Sequence, residues 1–194
     1  MPALDLHLEI AQQYGKDMLA LQLTPKVVLE RATVSTQPLQ TFLALLDLIG
    51  GYKEDPLRKK SSLLALILNQ RPKCFLPLRQ DEQVEPVIDY HAMCACLRIG
   101  IIEVLDKELT RKLLNRQMVS PLEEWSVRYA CYRAYQQLVA LTGKTYGVVG
   151  WFVFSVTRNL CLEMFDPECT VCPIDLLCAH RKFLFQPVIC TSYY

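Results

Sequence analysis

Apolar residues recur at helical spacing along nearly the whole chain, and the polar positions between them carry start and stop signals. Leu4, Leu8, Ile10, Tyr14, Met18 and Leu21 predict an amphipathic opening helix, and Pro25 starts a short second one through Val28 and Leu29. Pro38 opens a third, carried by Phe42, Leu43, Leu45, Leu46, Leu48 and Ile49 and stopped at Gly50-Gly51. Asp55 with Pro56 predicts the start of a fourth, through Leu57, Leu63, Leu64, Ile67 and Leu68 to Arg71-Pro72. Lys73 to Val84 reads as a loop. A helix then begins near Asp89 and runs through Met93, Cys96, Leu97, Ile99 and Ile102, and Asp106 caps a short one to Leu114. Ser120-Pro121-Leu122-Glu123 has the form of a capping box for a long helix to Leu141, ended by Gly143. A last helix starts near Tyr146 and ends at Cys161. No repeat, low-complexity tract or strand pattern interrupts this order.

Composition agrees with a helical, soluble protein: 52 % of residues are hydrophobic and only seven are Gly. At 194 residues the chain is long enough to bury one core or two small lobes. The longest apolar run, Val148 to Val156, is too short for a bilayer and is broken by Gly150, so no membrane span is expected. A formal net charge of +1 does not demand a polyanionic partner. No signal peptide is read, and the nine cysteines, an odd number, suggest a reducing interior and a cytoplasmic, intracellular location rather than disulfides.

Cys161, Cys169, Cys172 and Cys178 stand in the frame C-x7-C-x2-C-x5-C, with Pro173 directly after the third. Thiolates grouped this tightly can surround one metal centre at small loop-closure cost. A 4Fe-4S cluster takes four thiolates, one per iron. Zinc would accept the same four, but structural zinc sites usually pair two C-x2-C knuckles and this chain has one such pair. Cys190 is the spare thiol that could replace Cys161 if the first gap does not close. Cys94 and Cys96 face different sides of a helix, and with Cys74 and Cys131 they read as small core residues.

The segment from Trp151 to Lys182, an apolar helix running into these four cysteines, resembles the tail of the endonuclease III and adenine glycosylase branch of the helix-hairpin-helix (HhH-GPD) glycosylase superfamily. There the first gap is one residue shorter, so this loop must bulge. The resemblance implies an all-α, compact helical bundle, HhH-GPD-like, with a C-terminal 4Fe-4S cluster loop. It places a helical domain with a degenerate hairpin at 1–145 and the last helix with the cluster loop at 146–194. A second match lies inside the first. Leu46-Asp47-Leu48-Ile49-Gly50-Gly51, followed by Leu57-Arg58-Lys59-Lys60-Ser61, is similar to the family's hairpin, and Pro86-Val87-Ile88-Asp89-Tyr90-His91 to the helix start that holds its Asp. Asp55 to Lys60 with Asp89-Tyr90-His91 bears a fainter likeness to queuosine salvage glycosidases.

Cleaving an N-glycosidic bond passes through an oxocarbenium-like state that a carboxylate can stabilise, and bifunctional members add a Lys amine. By resemblance Asp89 takes the carboxylate role and Lys60 the Lys position, with Arg58, Lys59 and His91 as substrate-binding neighbours. The plain readings stand beside these: Asp89 as a helix N-cap, Lys59 and Lys60 as a solvated helix start, His91 and His180 as surface or capping residues. Trp125, Tyr129, Tyr132 and Tyr135, at helical spacing, read as core or interface rather than a base-stacking platform.

Between the first two cluster cysteines lies Leu162-Glu163-Met164-Phe165-Asp166-Pro167-Glu168, an acidic stretch where DNA-repair members are basic. Its three carboxylates would repel a duplex, so nucleic-acid binding is expected to be weak and a nucleoside, nucleotide or modified base becomes the expected substrate. Two classes stay open: an N-glycosidase, with a base-excision enzyme as its DNA-directed form, and a cluster-bearing binding protein without catalysis.

Overall fold

The computed structural model describes residues 4–194. Among the described residues it contains eight α-helices and two short 3-10 turns, and the one β-bridge, Met118 with Val188, lies outside any named strand. The chain forms two compact units, residues up to Val87 together with Thr191–Tyr194, and Ile88–Cys190. This division differs from the expected boundary at 145/146. The last helix packs on two others of the second unit, so the element that carries Cys161 shares a core with the residues before it.

The first unit holds α1 (Leu4–Ala20), α2 (Pro25–Thr33), α3 (Pro38–Leu46) and α4 (Lys59–Gln70). Thr24 caps α2 by accepting from the Val27 amide at 3.2 Å, with Pro25 at the first helical position as its fixed φ favours. Leu39, Phe42, Leu43 and Leu46 of α3 are buried and form the middle of a core that also takes Met18, Val28, Ala65 and Leu76. α3 ends at Leu46 rather than at the glycines; Leu48 and Ile49 continue as a turn that still buries Ile49. Gly50 is required there by close approach: its amide donates to Asp17 at 2.8 Å, and an added Cβ would lie 2.5 Å from the Gln13 side chain.

α4 corrects the expected start at Asp55-Pro56. The helix begins at Lys59, and Arg58 before it is left-handed (φ 53°), a conformation in which Asp55 and Pro56 cannot be part of the same helix. Asp55 nevertheless does capping work from a distance, accepting from the amides of Leu57 (3.0 Å) and Lys59 (2.7 Å). The guanidinium of Arg58 grips Asp47 through two parallel hydrogen bonds, which hold the turn.

The second unit holds α5 (Tyr90–Ile99), α6 (Lys107–Leu114), α7 (Pro121–Thr142) and α8 (Tyr146–Leu160). Each opens on a side-chain cap, from Asp89, Asp106, Ser120 and Thr145, and each cap accepts from the amide three residues on. α5 is buried from Ala92 to Arg98 and packs against both α7 and α8. Left-handed Gly100 ends α5 and leaves Ile102 outside the helix, whereas Gly143 ends α7 where the pattern placed it. Cys96 and Cys131 are fully buried and Cys94 nearly so, as small core residues; Cys74 is exposed instead. In the aromatic run Tyr135 is buried, while Trp125, Tyr129 and Tyr132 stack in sequence along one side of α7. No single helix among the described residues is long and apolar enough to cross a membrane.

The start of α7 is a complete capping box: Ser120 accepts from the Glu123 amide, and Glu123 accepts from the Ser120 amide at 2.7 Å. The other Glu123 oxygen takes the Lys112 ammonium at 2.7 Å. Lys112 first, and then the Ser120 amide, hold the Glu123 carboxyl down at about 2. A carboxylate with a depressed folded-state pKa adds stability that is present above its ordinary value near 4.5 and is lost as the pH falls toward 2. Glu123→Gln should therefore lower the melting temperature at pH 6, and the gap to the unaltered protein should close on acidification to pH 2. A gap that does not depend on pH would show that the charge contributes nothing.

Candidate metal centre and adjoining cavity

α8 is apolar along its length and ends with Cys161 at its C-cap position, so a single helix delivers the first thiol. The chain then loops through residues 162–168 and closes when the Glu168 amide donates to the Leu160 carbonyl at 2.7 Å. This bond brings the end of the loop, next to Cys169, back to the end of α8. Two 3-10 turns, Cys169–Val171 and Asp175–Leu177, carry the chain to Cys172 and Cys178. The side chains of Cys161, Cys169, Cys172 and Cys178 line one cavity of about 260 Å³, with α8 residues Val156 and Leu160 as its apolar wall. Cys190 is exposed and does not line it.

The fit to a cluster rests on the donor set and its surroundings. Four half-buried thiols share one cavity with Pro167 and Ile174, whose apolar surface would shield a cluster from water. Partial burial, followed by the negative charge of Asp175 and of the other three thiols, pushes the Cys169 thiol up. The His180 amide points at Cys178 Sγ from 3.3 Å, the kind of donor that stabilises a ligating sulfur. Among the described residues no three His, Cys, Asp or Glu side chains converge on a single-ion site.

Sequence reading missed the residue that builds this loop. Arg98, on the buried side of α5 and only 4 % exposed, donates to the carbonyls of Leu184 (3.0 Å), Cys161 (3.2 Å), Leu162 (3.0 Å) and Glu163 (3.2 Å). The Nη1 that serves Cys161 and Leu162 also lies 3.6 Å from Cys161 Sγ. Among the described residues no carboxylate lies within ion-pairing distance of this guanidinium, so its charge is buried among carbonyl oxygens. The available signal was an Arg four positions after Cys94 on the apolar face of a helix. Two backbone bonds complete the clasp: the Ala179 amide donates to the Ile99 carbonyl (2.8 Å) and the Arg181 amide to the Arg98 carbonyl (3.0 Å). Gly100 permits it, because a Cβ there would sit 2.5 Å from Ala179 Cβ.

The other expected site residues fall in different units. Arg58, Lys59 and Lys60 belong to the first, Asp89 and His91 to the second. The Lys60 ammonium is half-buried and donates to the Ser192 carbonyl at 2.7 Å, and that burial lowers its pKa below the ordinary lysine value. Asp89 is half-buried and accepts from the Ala92 amide at 3.0 Å, so the cap reading describes at least one of its oxygens. His91 is neither a cap nor a lone surface residue: its Nδ1 lies 3.0 Å from Glu163 Oε1. His180 pairs with Asp175 at 3.1 Å. The acidic loop also divides. Asp166 and Glu168 face solvent, but Glu163 turns inward to His91 and into a second cavity of about 230 Å³, which shares Arg98, Thr157 and Cys161 with the first.

Comparison with protein-family models, curated proteins and solved structures returns no match for this chain.

Arg98→Met keeps the apolar stem and removes the donor of four buried carbonyls. It should cost about 3–5 kcal/mol, the range for stripping one partner from a buried charged network, read as a lower denaturant midpoint. Protease cleavage within residues 161–185 should accelerate in parallel. A stable variant with a protected loop would show that the loop is held by other contacts.

Proposed function

We propose that the chain is an iron-sulfur protein of the helix-hairpin-helix glycosylase kind, hydrolysing the N-glycosidic bond of a modified base, nucleoside or nucleotide. The observation that carries the reading is the cavity lined by all four thiols next to a buried, otherwise uncompensated guanidinium. A 4Fe-4S cluster held by Cys161, Cys169, Cys172 and Cys178 is net negative and answers that charge. Its contribution when bound is a structural clip on the C-terminal loop, away from the bond that breaks.

The chemistry falls to Asp89. As the C–N bond breaks, its electron pair leaves with the base and positive charge grows on the sugar. A carboxylate at the start of α5 stabilises that charge, water adds at the sugar carbon, and the water proton is taken up by the departing base. A hydrolytic route uses water as the nucleophile, so no amine from Lys60 is needed. The two outward carboxylates of the loop, Asp166 and Glu168, disfavour a duplex substrate and support a small one.

One observation favours the non-catalytic reading, that of a binding protein with the same cluster: Asp89 is engaged as a cap. Asp89→Asn separates the two, because Asn caps about as well as Asp. Measured per folded molecule, base release from nucleosides and nucleotides should fall about a hundredfold or more in the variant. Base release unchanged in the variant would remove Asp89 from the mechanism.

The cluster is tested separately. Anaerobically purified protein should be coloured and contain iron and acid-labile sulfide in equal amounts, and Cys169→Ser or Cys172→Ser should bleach it and lower the melting temperature. Zinc without inorganic sulfide would overturn the cluster.

A further inference from the structure

α8 carries apolar side chains on two sides, and packing uses one of them. Val153 and Val156 are buried in a helix that packs on α5 and α7. At helical spacing Val148, Trp151, Phe152 and Arg158 share another side, and all four are exposed, Trp151 at 70 %. The corner leading into the helix is apolar too. Leu141, near the end of α7, is 84 % exposed, and Gly143-Lys144-Thr145 turns the chain from it into α8. All of these residues belong to the second unit. Single exposed apolar residues are ordinary, but aliphatic and aromatic side chains set together on one helix face and its corner mark a surface of contact.

Charge narrows what that surface meets. The chain has 20 acidic residues among 194, yet residues 125–162, which include most of α7 and all of α8, contain neither Asp nor Glu. Lys144 stands at the corner, and Arg158, about two turns after Trp151, returns to the same side of the helix. Both are exposed, and among the described residues neither is held in an ion pair. Trp, Phe and aliphatic side chains on one face with cations at its ends are the pattern of a helix that lies in the interface of an anionic bilayer. Other occupants fit less well. A second copy laid face to face would set these cations against their own kind, and a nucleic-acid strand finds no ring to stack on at Leu141 or Val148. The other exposed apolar group, Leu176, Leu177 and Phe183 in the cysteine loop, shares its stretch with Asp166, Glu168 and Asp175, which anionic headgroups repel.

We propose that the outer face of α8 and the corner before it form a docking surface for an anionic lipid bilayer, with Leu141, Val148, Trp151 and Phe152 entering the acyl boundary and Lys144 and Arg158 meeting lipid phosphates. At 15 residues α8 lies along the interface rather than crossing it. Two cations alone hold such a surface weakly, so the apolar side chains and the charges act together. The surface stands apart from the glycosidase reading, and its test needs no turnover.

The test is co-sedimentation of the whole, anaerobically purified chain with phosphatidylcholine vesicles that do or do not contain about 30 % phosphatidylserine. Binding should require phosphatidylserine and weaken about tenfold or more between about 0.05 and 0.5 M salt. Trp151→Ser and Lys144→Glu should each weaken it about tenfold with the helical circular dichroism unchanged, and Leu176→Ser should bind like the unaltered protein. The chain has two Trp, so in Trp125→Phe the Trp151 indole is the sole reporter, and brominated lipid should quench its fluorescence. Absence of binding, equal binding without phosphatidylserine, binding that survives Trp151→Ser or is lost in Leu176→Ser, or an unquenched Trp151 would each overturn the surface. A dimer or a complex with single-stranded DNA that Trp151→Ser abolishes, in a protein that does not bind vesicles, would give the face to that occupant instead.

Discussion

The stretch from Cys161 to Leu184 is tied to the core by one buried guanidinium. Arg98 reaches from the core side of α5 to four carbonyls spread over Cys161 to Leu184, a stretch with few buried apolar residues of its own. Such a stretch cannot order itself by hydrophobic burial, because Leu162, Met164, Phe165, Leu176, Leu177 and Phe183 are largely exposed. Its order comes from directional bonds to a rigid helix instead. The arrangement places a buried charge where, among the described residues, carbonyl oxygens rather than carboxylates answer it.

α5 is the element that makes this possible. Its apolar faces are held by α7 and α8, so its C-terminal carbonyls and the Arg98 side chain stand at fixed positions. Gly100 then supplies the left-handed turn and the absence of a side chain that lets residues 179–181 lie against the helix end. The N-terminal end of the same helix carries Asp89 and His91. A single ten-residue helix thus connects the cysteine loop, the second cavity and the carboxylate proposed for catalysis.

Charge in the loop is divided according to what each carboxylate can find. Glu163 follows directly on the carbonyls that Arg98 holds, and it turns toward His91. Asp166 and Glu168 are exposed, and Asp166 meets the Lys182 ammonium at 3.5 Å. The same seven-residue stretch therefore sets an interior acceptor and an outward negative face, two properties that a count of acidic residues merges into one.

Local chemistry was legible from the sequence where a side chain acts on its own neighbourhood. The periodicity and caps placed all eight helices, and the Ser120 capping box, Pro25, Pro38 and Gly143 marked their ends, because each of these signals works within one helical turn. The spacing of the four cysteines likewise announced a common site, since short loops leave them few other places to go. The start of α4 was misread because the left-handed turn at Arg58 is held by Asp47, eleven residues away, and Asp55 acts on amides outside an ordinary cap. Arg98, Glu163 with His91, and the second cavity were invisible for the same reason on a larger scale. Their partners lie 63 to 86 residues along the chain for Arg98, and only the packing of α8 on α5 brings them within reach. Sequence determined which segments are helical; tertiary structure decided which charges are buried, because burial depends on what the distant chain places around a residue.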